Sequence, residues 1–401
     1  LKKKGIFAMA TIMEQCKAVK DYVIEMRRKL HQIPELGLHN PKTRDFICAQ
    51  LDEMGIPYQV NTVVHDGVQD TSVVGFIEGK NTDKVLALRT DVDALPINEM
   101  LDVDYKSTHP GQMHACGHDN HCAMLLGAAK VLSQIKDQLN GSVKLFFQSG
   151  EEMIIEGGFM ENPKVTACMG MHVWPLPQFP SGAIVVKPGC MMASGNKLGI
   201  HIKGEGSHGS QPALGRDPIA CAAQVYTALQ NITTRELPGD EPRVLSICQV
   251  HSGSAWNIVP SEVYMEGTIR TTNPETQQFY MKRINEIVEG VSAALRCEGT
   301  VDWIDGTPPV MNDPAMTAAM AEAVRENLGS EYIQQEVQTS MGNEDFAYFQ
   351  EMVPGVFAFL NISNDDPATH YSVHSPTFQV DESILWHGTA FHVIGAVTYL
   401  K

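Results

Sequence analysis

The segment His114-Ala-Cys-Gly-His-Asp-Asn-His121 places one thiol, three imidazoles and a carboxylate within eight positions. Cys116 and His118 stand two apart around Gly117, so one loop running into a helix offers both side chains to a single ion. A thiolate and an imidazole together suit zinc and related transition ions rather than magnesium or calcium. Taken alone, the segment also fits a buried cysteine beside a helix-capping Asp119. A second signal is Glu151-Glu152, directly after the apolar run SVKLFFQSG. Metal-assisted hydrolysis needs one carboxylate to ligate and another left free to accept a proton. Two adjacent glutamates on one turn can divide those tasks. His172 in MGMHVWP and His374 in YSVHSPTF are further single imidazoles, the second with His370 as a competitor.

Their positions follow from the elements that carry them. Helical spacing from about Thr11 to Met54, broken near Pro34 and Pro41, gives way to β-type runs at Ser72–Ile77 and Lys84–Arg89. A helical stretch over HCAMLLGAAKVLSQI follows, and then the apolar runs SVKLFFQ and ACMGMHVW. Strands alternating with helices predict a covered, largely parallel sheet. Reactive groups of such sheets gather at the carboxyl ends of the strands, where Asp91, Asp93, Glu151, Glu152 and His172 are expected.

After about Lys187 the order becomes β-α-β-β-α-β. Strands are expected at 197–203, 244–251, 262–271 and 299–304, with helices opening at Asp217-Pro218 and Asn273-Pro274 by N-cap and N1-proline chemistry. The expected fold is therefore an α/β catalytic domain with a mostly parallel central sheet, over 9–189 and 306–401. A smaller ferredoxin-like α+β lid or dimerisation domain is inserted at 190–305.

A formal net charge of −17 in 401 residues excludes a dominant basic surface, so no nucleic-acid partner is expected. Nine cysteines stand singly, without a CxxC pair, which favours a reducing, cytoplasmic setting over a disulfide framework. No apolar run is long enough to span a bilayer, so no membrane partner is expected. Met9 is expected as the natural start, and no functional argument is placed on the leader LKKKGIFA before it.

In order along the chain, LRTDVDALPINE, HACGHDNH, FQSGEE, GMHVWP, GSHGSQPALGRDPI, GTIRTTNPE, GNEDFAYF and HSPTF together resemble the M20 metallopeptidase family in its amidohydrolase branch. That branch takes in N-acyl-amino-acid amidohydrolases, hippurate hydrolases and auxin-conjugate hydrolases. The resemblance implies Cys116, His118, Glu152, His172 and His374 as metal ligands, Glu151 as general base, and Asp91 as the carboxylate orienting a ligand imidazole. It implies His208 on the developing oxyanion, and Asn257 and Arg270 holding substrate. It further implies two divalent ions per subunit (zinc, manganese, nickel or cobalt), a small N-acyl amino acid as substrate, and a homodimer or homotetramer. Two departures stand out: Arg89 occupies the place of a ligating histidine in the wider superfamily, and Ala213 that of a histidine after the lid motif. A peptidase acting on small peptides or peptidoglycan fragments, a cysteine amidase with Cys116 as nucleophile, and a metal-dependent binding protein are the competing readings.

Overall fold

The computed structural model describes residues 2–401; Leu1, the first leader residue, lies outside the described residues. The chain divides into two compact units, one of Leu1–Gly189, Met311–Val337 and Tyr348–Lys401, the other of Cys190–Val310 and Gln338–Ala347.

The first unit is built on an eight-stranded sheet. Its spatial order is Tyr58–Val60, Val73–Ile77, Ser142–Gln148, Val85–Asp91, Ala167–Trp174, Gly355–Asn361, Ile184–Val185 and Ile333–Gln334. The four strands from Ser142–Gln148 to Gly355–Asn361 run parallel. Each is buried along essentially its whole length, which is why each reads as a continuous apolar run rather than an alternating one. Helix His118–Ile135 covers the sheet and packs against helices Lys20–His31 and Leu385–Tyr399. From Val85–Asp91 the chain passes to Ser142–Gln148 on one side, then to Ala167–Trp174 on the other. Such a reversal of direction opens a crevice at the carboxyl ends of the strands. Asp91 closes its strand, and His172 lies inside Ala167–Trp174 rather than beyond it.

The second unit has a four-stranded sheet ordered Arg243–Ser252, Glu262–Thr271, Gly195–Lys203, Glu298–Thr307, with every neighbouring pair antiparallel. Helices Pro218–Asn231 and Pro274–Ala294 bury Val225, Leu229, Ile284 and Val288 against Leu198, Ile200 and Met265. This is the ferredoxin-like arrangement of a β-α-β-β-α-β chain. Asp217 and Asn273 cap their helices through side-chain oxygens, and each is followed by proline at the first helical position. The unit also recruits Gln338–Ala347, which lies outside the expected 190–305 span. The reason is main-chain pairing: Ser340 N donates to Met191 O at 3.1 Å, and Ser340 O accepts from Ala193 N at 2.8 Å.

Candidate metal centre

Gly117 fixes the geometry of the cysteine–histidine loop. It caps helix His118–Ile135 with φ at 90° and no side-chain cap. A Cβ there would stand 2.3 Å from Val173 Cγ2, so only glycine fits both the backbone and the space. The turn leaves Cys116 half-buried, with its Sγ 3.3 Å from His172 Nε2 and 3.3 Å from His374 Nε2. His374 arrives from a distant loop in a left-handed conformation (φ 69°), tied to the cysteine loop by His374 N donating to Ala115 O at 2.7 Å.

The imidazoles are set by what holds their other nitrogen. His172 Nδ1 donates to Val173 O at 2.6 Å, and His118 Nδ1 donates to Asp93 Oδ1 at 2.9 Å. Both rings therefore turn Nε2 inward, His172 toward Cys116 Sγ at 3.3 Å and His118 toward Asp91 Oδ2 at 3.5 Å. The ligand-type atoms of Asp91, His118, His121 and His172 lie within 4.8 Å of one another. His121 is nonetheless already committed: Nδ1 donates to Asp91 Oδ1 at 2.6 Å, and Nε2 accepts from Val173 N at 2.8 Å.

Charge follows this geometry. Burial opposes ionisation of Cys116, but His118 and His374 more than offset it and hold the thiol below its ordinary range. Burial also disfavours a charged His118, yet Asp91, Asp93 and Cys116 raise its pKa well above the usual histidine value. Burial raises and the facing cations lower Asp91; the cations win. A thiol facing two imidazole nitrogens, beside a third imidazole oriented by a carboxylate, is a donor set that fits a transition-metal ion.

The two glutamates take opposite environments on the short helix Glu151–Glu156. Glu151 is buried, and its Oε1 accepts from Arg89 Nη2 and Gln148 Nε2. Glu151 Oε2 is buried with no hydrogen-bond partner among the described residues. Arg89 also faces Asp91 Oδ2 at 3.4 Å, so the guanidinium spans both carboxylates. Glu152 is solvent-exposed and, among the described residues, joins no group of close ligand atoms.

Cys116, His118, His172 and His374 are thus brought together, with Asp91 beside them, while Glu152 is not. In the second unit, His208 is exposed with Nδ1 2.8 Å from Ser210 Oγ, and its strand pairs with Ile258–Val259. Gly209 N donates to Asn257 O at 2.8 Å, which joins the His208 and Asn257 loops. Arg270 is half-buried and donates to Thr268 Oγ1 at 2.7 Å; burial lowers its pKa. Asp93, expected only at the strand edge, is the partner of His118, and Gly117 is the turn residue that aims the loop. The signals were the repeated carboxylate of Thr-Asp-Val-Asp and a glycine standing between two candidate ligands.

A doubly wound sheet with this donor cluster at its carboxyl edge defines a metal-dependent hydrolase. Residues 87–393 match Peptidase family M20/M25/M40, and the chain belongs to that family as a metal-dependent amidohydrolase. It is 35% identical over 391 residues to IAA-amino acid hydrolase ILR1-like 4 of Arabidopsis thaliana, covering 95% of this chain and 86% of the relative. It is 35% identical over 375 residues to N-acetyl-L-cysteine deacetylase of Bacillus subtilis, covering 92% and 86%. The Bacillus subtilis YXEP protein, described as a dinuclear metal binding peptidase of the M20 family, superposes with a TM-score of 0.81 at 34% identity, covering 96% of this chain and 99% of its own.

Proposed function

We propose that the chain hydrolyses the amide bond of small N-acyl amino acids, of N-acetyl or N-benzoyl type, releasing a carboxylic acid and a free amino acid. The observation that carries this reading is the division of Glu151: Oε1 is held by Arg89 and Gln148, Oε2 is left unpartnered, and the same Arg89 reaches Asp91 of the donor cluster. The names of the plant hydrolase and the bacterial deacetylase support an acyl–amino acid substrate.

Cys116, His118, His172 and His374 would hold the ions, with Glu152 as the additional ligand the resemblance implies; two per subunit is the reading the YXEP protein supports. Bound there, zinc, manganese, nickel or cobalt would polarise the amide carbonyl and lower the pKa of water. Glu151 Oε2 accepts the proton from the attacking water and returns it to the leaving amine. Arg89 keeps the carboxylate aimed while it does so. His208 stabilises the developing oxyanion. Asn257 and Arg270 hold the substrate, with Arg270 on its free carboxylate. The nine free cysteines favour a cytoplasmic setting, and no helix among the described residues is long and apolar enough to cross a membrane. The exposed edge strand Arg243–Ser252 supports assembly as a homodimer or homotetramer.

The test is amino acid release from a panel of N-acetyl and N-benzoyl amino acids, before and after metal restoration to chelated protein. Glu151→Gln should bind metal as the wild type does and lose turnover; substantial activity in that variant removes Glu151 as the base. Release only from dipeptides would favour the second reading, a small-peptide peptidase, which the description of the YXEP protein as a peptidase supports.

A further inference from the structure

Helix Lys20–His31 carries Arg27 and His31 four residues apart on one face, and both are buried, at 1% and 0% exposure. Arg27 Nε donates to Asp119 Oδ2 at 2.9 Å, and its Nη1 donates to Glu382 Oε1 at 3.1 Å. Asp119 directly follows His118, whereas Glu382 lies beyond the His374 loop. His31 repeats the pattern. Its Nδ1 donates to Asp119 Oδ2 at 2.7 Å, and its Nε2 lies 3.2 Å from Glu99 Oε1. Glu99 precedes Met100, whose N donates to Pro376 O at 2.9 Å, two residues past His374. The other Glu99 oxygen accepts from Ser107 N at 2.7 Å, and Tyr105 lies under the Arg27 guanidinium at 4.8 Å. One helix therefore reaches both chain segments that deliver ligands from outside the sheet, through buried ion pairs to Asp119 and Glu99 and a partly buried one to Glu382 that Arg28 shares.

We propose that Arg27 and His31 are positioning residues for the metal centre: their ion-pair chain fixes the Cys116–His118 loop at a set separation from the His374 loop. The inference rests on the reading of those side chains as metal ligands. One argument favours positioning over bulk stability. A buried ion network is commonly no more stable than an apolar replacement of equal volume, so energy alone does not account for burying these charges. The charges also sit where helix ends favour them: Asp119 in the first turn of His118–Ile135, and His31 with Arg28 in the last turn of Lys20–His31. The two helix ends are thereby locked end to end. His118 is then constrained on both sides, by Asp93 at its ring and by Asp119 in its backbone turn. Partners of this kind, one shell out from a metal, typically change its affinity by about 10–100-fold.

The experiment uses the full chain stripped of metal and titrated with Zn(II) against a chromophoric chelator, together with the visible absorption of the Co(II)-loaded protein. Arg27→Met and His31→Gln should bind Zn(II) about 10–100-fold more weakly. Their Co(II) bands should shift, and kcat should fall with KM little changed. Arg27→Lys keeps a charge but cannot bridge Asp119 and Glu382 at once, so it should recover only part of the affinity. Variants that melt earlier but bind Zn(II) and shape the Co(II) bands as the wild type does would reduce the network to a structural brace and overturn the proposal. Should the buried substitutions fail to fold, Glu382→Gln at the outer end of the chain serves instead, and unchanged Zn(II) binding there overturns the proposal equally. Wild-type protein that binds no Zn(II) would overturn the metal-site reading and the positioning role together. Tight wild-type binding matched by every variant would overturn the positioning role alone.

Discussion

Gly117→Ala tests whether one backbone position sets the donor cluster. At φ 90° an alanine carries a left-handed penalty of about 1–2 kcal/mol. Its Cβ would also stand 2.3 Å from Val173 Cγ2 and 3.5 Å from Phe378 Cε1. Relieving that overlap inside a packed strand costs about 1–3 kcal/mol, so the whole substitution should destabilise by about 2–5 kcal/mol. The displacement falls on Val173, whose N donates to His121 Nε2 and whose O accepts from His172 Nδ1. Metal affinity should therefore fall together with stability. Val173→Ala separates the two causes. Alone it removes buried methyl groups worth about 2 kcal/mol; combined with Gly117→Ala it removes the overlap and leaves the φ penalty. The double variant should thus be more stable than the sum of the singles by about 1–3 kcal/mol. Urea unfolding of the four chelated proteins, read at constant m, measures that coupling. Strict additivity, or a Gly117→Ala midpoint equal to that of the wild type, would refute the steric argument.

Asp93→Leu removes the acceptor from His118 Nδ1, and metal affinity should drop about 10–100-fold, or about 1.4–2.7 kcal/mol, while Asp93→Asn, which still accepts, loses less. Calorimetric titration of all three proteins decides it, and equal affinities would strip Asp93 of its role. The depressed thiol of Cys116 should be alkylated readily in chelated protein and protected by metal; peptide mass spectrometry showing equal labelling in both would remove Cys116 from the donor set. Burial, with His121 adding repulsion, lowers His392 to about 3 from 6.5, so the fold holds it neutral while the unfolded chain protonates. Its contribution is present above about 6.5 and drains away as pH falls toward 3, by at most on the order of 5 kcal/mol. His392→Phe should flatten the decline in urea midpoint between pH 7 and 4, and a profile parallel to that of the wild type would refute the assignment.

Much of this was legible because local chemistry and global fold agree. Asp217 and Asn273 each precede a proline and each caps its helix as expected, and Asp313 before Pro314 does the same; the central strands are continuous apolar runs because both of their faces are covered. Gln338–Ala347 was not legible as part of the second unit. Its membership rests on main-chain bonds to Met191 and Ala193, which any side chains would permit. The carboxylates were legible as types but not as partners. Asp91 ends its strand and turns to His121, whereas Asp93, just past the strand end, meets His118. Glu151 and Glu152 differ only in which side of one short helix each occupies, and that depends on Arg89 and Gln148 standing below.

His118 and His121 show how far residue type alone can carry a metal assignment. They stand three apart on one helix, with ring centroids 5.4 Å apart, and by spacing either is an equal candidate. His121 has one nitrogen donating to a carboxylate and the other accepting a backbone N–H; burial lowers its pKa to about 4, so it stays neutral with no lone pair to offer. His118 has one carboxylate at Nδ1 and another, Asp91, 3.5 Å from Nε2, with no backbone donor there, and so it is the one of the two proposed as a ligand. Arg89 completes the logic from the opposite sign. Standing where the resemblance to the wider superfamily implies a ligating imidazole, it supplies a permanent cation that cannot bind metal, and it directs that charge at Asp91 and Glu151.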